Sequence, residues 1–356
     1  MAVRRPNSTW FARLGGLTSS ILWLTMAFIC PSSEATTRAG VRGGHRTMKR
    51  PGAPTATALR LAKAVFKEAY APNTQKAYTQ ALTRFLAYLG DREADDATVA
   101  AFLEHEAERG LAPASLSLTH AAIGAAARFA DADDPRGPLT ARTLGMLKRQ
   151  HAERGRGQVD GLRRKDVDAV ARLAAAEGTL LGLRDAALLR LGSDAFLRIS
   201  ELAAVEVEHL EAGEGGSGSL RLPRSKTDQE GEGRTLYVCR ATMAAIGAWR
   251  EASGVSSGPL FRAVSRDGTR VSATALSGSS VPKVIRRRAR AAGFEGRISG
   301  HSLRIGSAQS LVARGASTAE LMQAGRWTDE RTAIRYAANE LAANGAVARY
   351  FEDDGR

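Results

Sequence analysis

The stretch SGHSLRIGSAQSLVARGASTAELMQAGRWTDERTAIRYA, residues 299–337, decides the interpretation of this chain. It places His301, Arg304, Trp327 and Tyr336 close together in a sequence that holds only six histidines and four tryptophans. Because residues three apart share one face of a helix, the histidine and the arginine can address the same ligand. We expect tertiary packing to bring all four side chains to one place.

Capping signals divide the remainder of this stretch into two further helices. The pair Ser317 and Glu320 forms a capping-box pattern that predicts the start of a helix, and Gly325 is the residue type that commonly follows a helix end. After a turn that contains Trp327, Thr328 can cap another helix with acidic residues in its first turn. The tyrosine of the stretch then lies two turns into that helix.

These side-chain types suit the chemistry of a phosphodiester. Guanidinium groups can clamp its non-bridging oxygens, a histidine and an indole N–H can donate to charge that develops in the transition state, and a tyrosine hydroxyl can attack. No acidic pair or His/Asp cluster has convincing two-metal spacing, so we expect no metal. Taken singly, each residue has a plainer interpretation as a packing, capping or solvated side chain.

The composition favours a polyanionic partner. The chain of 356 residues has 51 basic and 37 acidic side chains, a formal charge of +14 and a pI near 10.4. Charge alone is weak evidence, because solvated basic surfaces are common. With 44% hydrophobic residues, the chain can bury two globular cores. Cys30 and Cys239 lack CxxC spacing, which argues against a disulfide framework or a cysteine zinc site.

The first half of the chain predicts a small helical domain at residues 58–153. Helical spacing of apolar residues recurs in residues 73–90, 95–110 and 115–130. Prolines and glycines then break the pattern, and a dense basic run at residues 154–161 lacks apolar periodicity. We interpret this run as an interdomain linker, with a solvated surface segment as the alternative.

The second half, residues 162–356, returns to helical patterns around a short β-hairpin. Its two predicted strands are Ser219–Leu222 and Arg234–Cys239, joined by a polar turn. Near the end, ELAANGAVARYFED has an apolar stripe and contains Tyr350, a second candidate nucleophile. The fold class that follows is mainly α with a small β-hairpin sheet.

A strongly basic helix is predicted at residues 284–293, VIRRRARAAG. Beside a phosphate site, such a helix is a candidate for contacts with a nucleic-acid backbone or major groove. The candidate DNA-binding residues are Arg286, Arg287, Arg288 and Arg290.

The set of motifs resembles the tyrosine recombinase (phage integrase) family. Its pattern is an arginine before a Ser-Glu-Leu helix, a lysine in a β-hairpin, His-x-x-Arg, a histidine or tryptophan, and a tyrosine nine residues later. Tryptophan in LMQAGRWT points to the tryptophan-bearing branch, and Arg326 stands where relatives often have glycine. The matching residues, in FLRISEL, RSKTD, GHSLR, AGRW and AIRY, are Arg198, Glu201, Lys226, His301, Arg304, Trp327 and Tyr336.

The resemblance implies a mechanism without metal, ATP or other cofactor. Tyr336 would attack the scissile phosphate to give a 3′-phosphotyrosyl bond, and Lys226 would protonate the departing 5′-oxygen. Glu201 would orient the neighbouring cationic groups. The covalent bond conserves the energy of the broken phosphodiester, so strands can be exchanged and resealed. The residues implied to hold the phosphate are Arg198, Arg304, His301 and Trp327.

The resemblance also implies the partners. We expect a two-domain, C-shaped clamp on double-stranded DNA with inverted-repeat sites, a homodimer on each site, a tetramer in the synapse and a Holliday-junction intermediate. The apolar C-terminal helix would dock into a neighbouring subunit, or pack on its own domain. The alternatives are an inactive DNA-binding remnant, a hairpin telomere resolvase and a type IB topoisomerase-like enzyme. The full set of catalytic residue types argues against the remnant.

The N-terminus has the outline of a signal peptide, with a basic start, an apolar run at Ile21–Cys30 and small residues after it. The run is too short for a membrane-spanning helix. Because secretion would separate a DNA-binding protein from its DNA, we interpret residues 1–47 as an artefact of start-codon choice and Met48 as the start. Residues 1–57 are thus an extension, and we expect a cytoplasmic, DNA-associated protein with no membrane partner.

Overall fold

The computed structural model of the protein describes residues 54–155, 157–223 and 233–343. These ranges are mainly helical, with two small antiparallel sheets, which confirms the predicted fold class. The signal-like segment, Lys226 and the chain after residue 343 lie outside the described residues. In the described ranges, no helix combines the length and apolar character needed to cross a bilayer.

The first five helices pack as a bundle. Among the apolar residues predicted to recur along its second helix, Leu82 and Phe85 are buried and Tyr78 is half-buried. That helix begins at a proline, which suits the first helical position because no N–H donor is needed there, and Asn73 and Thr74 follow in its first turn. The helices are α1 (Ala56–Ala69), α2 (Pro72–Leu89), α3 (Asp96–Glu108), α4 (Pro113–Phe129) and α5 (Pro138–Gln150).

Helix α5 was not predicted from the sequence, and the side chain that caps its start lies far away in the sequence. The carboxylate of Asp96, at the start of α3, accepts three backbone N–H hydrogen bonds at 2.8–2.9 Å. These satisfy donors that a helix start leaves without intrahelical partners. The donors are Gly137, Leu139 and Thr140.

The remaining elements form the second half of the fold, and their main hydrophobic core surrounds the buried indole of Trp249, whose Nε1 donates to the Leu260 carbonyl at 2.8 Å. A smaller apolar cluster joins the last three described helices to Phe196. The elements are α6 (Arg164–Ala176), α7 (Leu180–Asp194), α8 (Ile199–Ala203), β1 (Leu210–Ala212), β2 (Gly218–Leu222), β3 (Arg234–Val238), α9 (Arg240–Ser253), β4 (Arg262–Val264), β5 (Val271–Ala275), α10 (Val281–Ala291), α11 (Ser302–Val312), α12 (Thr318–Gly325) and α13 (Glu330–Ala343).

The predicted hairpin strands are confirmed as β2 and β3, which pair antiparallel with Leu220 opposite Leu236. Strand β1 adds to the other edge of β2, giving the order β1-β2-β3. Strands β4 and β5 form a separate two-stranded sheet. Strand β1 and this second sheet were not predicted from the sequence, because strands of three to five residues carry little periodicity.

A buried cluster of charges fixes α10 against α7. Asp185 is 0% exposed, and its Oδ1 accepts from Nη2 of Arg184 at 2.7 Å. Its Oδ2 accepts from Arg287 at 2.6 Å and from Arg288 at 2.7 Å, and Arg288 also pairs with Glu177. Buried charges persist only when such partners compensate their desolvation. Asp185 therefore neutralises the cationic side chain that shares the inward face of α10 with buried apolar residues.

Replacing Asp185 with asparagine is expected to destabilise the protein by about 3–5 kcal/mol, because buried guanidinium charges lose their counterion. Urea unfolding of the full chain, followed by circular dichroism, measures this as a lower transition midpoint. The matched control is Glu251→Gln, at an exposed position of α9, which should stay within about 0.5 kcal/mol of the unaltered protein. Equal midpoints for both variants would contradict this account of the cluster.

Candidate active site

The predicted site residues come together where α8, α11 and the α12–α13 turn meet. His301 is the N-cap residue of α11, and Arg304 lies in the first turn of that helix. The Arg304 guanidinium carbon lies 4.8 Å from the Trp327 ring centroid, and the Trp327 and Tyr336 centroids are 5.1 Å apart. Arg198, which precedes α8, contributes its charge to the same site. Lys226 is outside the described residues.

Arg304 is the most enclosed cation of this group, with 2% of its surface exposed. Its Nη1 donates to the Phe196 carbonyl and its Nη2 to the Gly325 carbonyl. Burial, followed by the nearby charges of Arg198 and Arg326, lowers the pKa of Arg304 to about 10. The guanidinium thus remains charged at neutral pH, and its orientation is set before any ligand arrives.

The backbone at Phe196 is unusual, because its φ of 49° lies in the left-handed region that non-glycine residues rarely adopt. Its carbonyl accepts from Arg304 and, at 3.1 Å, from Nη2 of Arg326. A residue with a strained backbone whose carbonyl accepts hydrogen bonds from two guanidiniums is typical of functional sites.

Both the backbone N–H and the guanidinium of Arg198 donate hydrogen bonds to the Glu201 carboxylate. The Arg198 backbone N–H donates to Oε2 at 2.9 Å, and its Nη1 donates to Oε1 at 2.6 Å. The carboxylate is buried, whereas the Arg198 side chain keeps 21% of its surface exposed. This geometry orients Arg198, which is the role that the family resemblance implies for Glu201.

Arg326, which had no role predicted from the sequence, lies inside the site. Its side chain is 3% exposed, and Nη2 donates to Oε2 of Glu201 at 2.6 Å. Nη1 donates to the Ala195 carbonyl at 3.3 Å. Burial lowers the pKa of Arg326, and the charge of Glu201 opposes that shift. The available signal was a cation directly before Trp327, at a position where relatives often have glycine.

His301 differs from the arginines because it remains exposed to solvent. Desolvation by neighbouring atoms, together with the charges of Arg304 and Arg198, lowers the pKa of His301. The imidazole is therefore neutral at physiological pH and can donate one hydrogen bond or accept one.

Aromatic packing holds the candidate nucleophile. Tyr336 is half-buried on α13, and the Trp327 ring that it contacts also meets Phe196 edge-on, with centroids 6.1 Å apart. A Cβ at position 325 would lie 2.2 Å from the Trp327 ring, so glycine is required there. The prediction that Thr328 caps α13 is wrong by one residue. The helix begins at Glu330, and the preceding Asp329 accepts a backbone hydrogen bond from Arg331 at 3.1 Å.

The basic helix α10 divides its arginines between two environments. Arg286, Arg287 and Arg290 are exposed and line a surface groove of about 340 Å³ together with Lys283. Arg288 is 7% exposed and points into the charge cluster around Asp185. The expectation that Arg288 contacts DNA is therefore corrected, because this side chain is buried and ion-paired.

No group of three or more histidine, cysteine, aspartate or glutamate side chains that could hold a metal ion is found in the part of the chain that the structure describes.

Comparison with curated proteins finds two relatives among site-specific recombinases. The recombinase Cre of Escherichia phage P1 is 27% identical over 203 residues, which cover 53% of this chain and 59% of Cre. An integrase/recombinase XerD homologue of Selenomonas ruminantium is 29% identical over 167 residues, 45% of this chain and 48% of that protein. The matches span roughly half of each relative's length.

Solved structures share the fold. XerH site-specific recombinase bound to palindromic difH substrate matches with a TM-score of 0.62 and 16% identity over 83% of this chain and 85% of that one. A lambda integrase tetramer bound to a Holliday junction matches with a TM-score of 0.54 and 17% identity over 78% of both chains. The family profile described as Phage integrase family matches residues 162–342. This protein belongs to the phage integrase family.

Proposed function

We propose that the protein is a site-specific DNA recombinase that cleaves and rejoins strands through a 3′-phosphotyrosyl bond and a Holliday junction, without metal or ATP. Family membership supports recombination in general. The observation that carries the finer proposal is the meeting at one site of six side chains in the family's order. They are Arg198, Glu201, His301, Arg304, Trp327 and Tyr336.

In the proposed cleavage step, the Tyr336 oxygen forms a bond to phosphorus while the bond from phosphorus to the 5′-oxygen breaks. The proton lost by the tyrosine hydroxyl is balanced by the proton that Lys226 gives to the 5′-oxygen. Arg198 and Arg304 hold the non-bridging oxygens, whose negative charge grows in the transition state. The reverse step, with a 5′-hydroxyl from another strand as nucleophile, reseals the DNA without an external energy source.

We further propose separate functions for three parts of the chain. Residues 58–153 form a DNA-binding helical domain, residues 154–161 link it to the second domain, and residues 162–356 form the catalytic domain with a C-terminal docking helix. DNA-bound complexes of XerH and lambda integrase have this fold, and one lambda integrase structure is a tetramer on a Holliday junction. Inverted-repeat DNA, a dimer on each site and a tetramer in the synapse are the corresponding proposals for this protein.

An adduct assay tests this function. The protein is incubated with DNA fragments from around its own gene and run on a denaturing gel. Recombination chemistry predicts an SDS-resistant, protease-sensitive adduct and products that join two sites. Binding without adduct on a site that is occupied would favour the inactive remnant. Hairpin ends would identify a telomere resolvase, and relaxation of one supercoiled circle without pairing of sites would identify a topoisomerase.

The groove on α10 provides a prediction about DNA affinity. Arg290→Ala is expected to weaken binding to any duplex and to reduce the slope of log K against log salt by about 0.9, because one phosphate contact is lost. Fluorescence anisotropy over a salt series measures the slope. The control is Arg172→Ala, an exposed arginine on α6. An unchanged slope for Arg290→Ala, or an equal reduction in the control, would argue against a phosphate contact.

A further inference from the structure

We propose that Arg326 is a positioning residue of the phosphate site. Arg326 shares the Glu201 carboxylate with Arg198, so the Arg198 guanidinium remains available to the scissile phosphate. This inference rests on the proposed function. Arg326 lies directly before Trp327 and packs beneath the same site.

The backbone of Arg326 is the first observation. It ends α12 with φ 52° and ψ 48°, a left-handed conformation that is unfavourable for any residue with a Cβ and that glycine adopts freely. The chain nevertheless holds an arginine here, and the arginine is 6% exposed. Its buried Nε finds no hydrogen-bond partner among the residues that the structure describes. Glycine would relieve the backbone strain at this position, so the presence of an arginine indicates a function for its guanidinium.

Charge balance at Glu201 is the second observation. Its Oε1 accepts from Nη1 of Arg198, and its Oε2 accepts from Nη2 of Arg326, both at 2.6 Å. Three guanidiniums, of Arg198, Arg304 and Arg326, face one carboxylate, which leaves a net charge of +2. A glycine at position 326 would leave +1 and would make Arg198 the sole guanidinium on Glu201. Arg326 therefore adds one positive charge at the place where the phosphate charge grows.

A shared acceptor is the third observation. The Phe196 carbonyl accepts from Arg304 and, at 3.1 Å, from Arg326. The two guanidiniums thus lie side by side, and Arg326 helps to define where Arg304 can sit. The charge of Arg326 is also among the causes that lower the pKa of Arg304. Arg326 acts on both phosphate-holding arginines without itself needing to touch DNA.

The test compares Arg326→Met, Arg326→Lys and Arg326→Gly in single-turnover cleavage of two substrates. One has an ordinary scissile phosphate, and the other has an uncharged methylphosphonate at that position. Methionine and glycine remove the charge, and glycine also relieves the backbone. Both variants should slow cleavage of the phosphate by on the order of 10-fold to 100-fold, less than removal of a direct donor costs. Lysine should recover part of the rate.

The comparison of substrates separates charge from packing. Because the methylphosphonate lacks one negative charge, the reduction in cleavage rate caused by methionine or glycine should be at least severalfold smaller with this substrate. Arg190→Met, which removes another partly buried, ion-paired arginine of this domain, should affect both substrates equally. Equal losses on both substrates for the Arg326 variants, or no loss, would overturn the proposal. Absence of adduct with the unaltered protein on an occupied site would instead overturn the proposed function, and this inference with it.

Discussion

Replacing Tyr336 with phenylalanine is expected to abolish the covalent DNA adduct and to leave DNA affinity nearly unchanged, because the aromatic ring and its packing are retained. Only the nucleophilic oxygen is removed. The ring, whose centroid lies 5.1 Å from that of Trp327, keeps its packing. Adduct is measured on a denaturing gel and affinity by anisotropy, with the same labelled duplex in both assays.

The matched control is Tyr350→Phe, which removes the hydroxyl of the rival tyrosine in the sequence that follows α13. This variant should form adduct at the rate of the unaltered protein. Adduct formation by Tyr336→Phe, or its loss in Tyr350→Phe alone, would transfer the nucleophile assignment to another residue.

Replacing Lys226 with alanine is expected to slow cleavage of an ordinary phosphate by about 10²–10⁴-fold, the usual contribution of a general acid. A thiolate leaves without protonation, so a substrate with sulfur in place of the bridging 5′-oxygen should be cleaved by this variant at nearly the rate of the unaltered protein. Single-turnover rates on the two substrates measure the rescue.

Two controls make the rescue specific. Lys165→Ala removes an exposed lysine at the start of α6 and should leave both rates unchanged. Tyr336→Phe should fail on both substrates, because a better leaving group does not replace the nucleophile. A Lys226→Ala variant that is equally slow with the sulfur substrate would assign the lysine a role other than proton donation.

Local signals explain what the sequence could predict. The β2–β3 hairpin lies between turn residues and has the alternation of a strand, and its strands pair as expected. The capping box of α12 forms as predicted, since Ser317 and Glu320 are three residues apart. The His-x-x-Arg spacing placed two site residues at the start of α11. In each case the determining groups are neighbours in sequence.

Long-range contacts explain what the sequence could not predict. The start of α5 is capped by Asp96, 41 residues before Gly137. Arg288 lies on the buried face of α10, and its counterion Asp185 is 103 residues away in the chain. The arginine's spacing from the buried apolar residues of α10 places it on that face, but the sequence does not indicate which carboxylate compensates its burial.

Arg326 illustrates the same limit within the site itself. Its partner Glu201 lies 125 residues earlier, and nothing in the local sequence AGRWT indicates that its guanidinium turns inward. Comparison with the family pattern identified the position as unusual for an arginine. Only the folded structure shows that it shares a carboxylate with Arg198.

Identification of the residue that carries the DNA tests the central claim most directly. The unaltered protein is trapped on a cleavage-site duplex with a nick just downstream of the scissile phosphate. The short fragment that carries the freed 5′-hydroxyl then diffuses away, and the adduct accumulates. Protease and nuclease digestion, followed by mass spectrometry, then locates the nucleotide. We predict a 3′-nucleotide on the tyrosine oxygen of Tyr336. A nucleotide on any other residue, or a cleaved site without covalent attachment, would contradict the account.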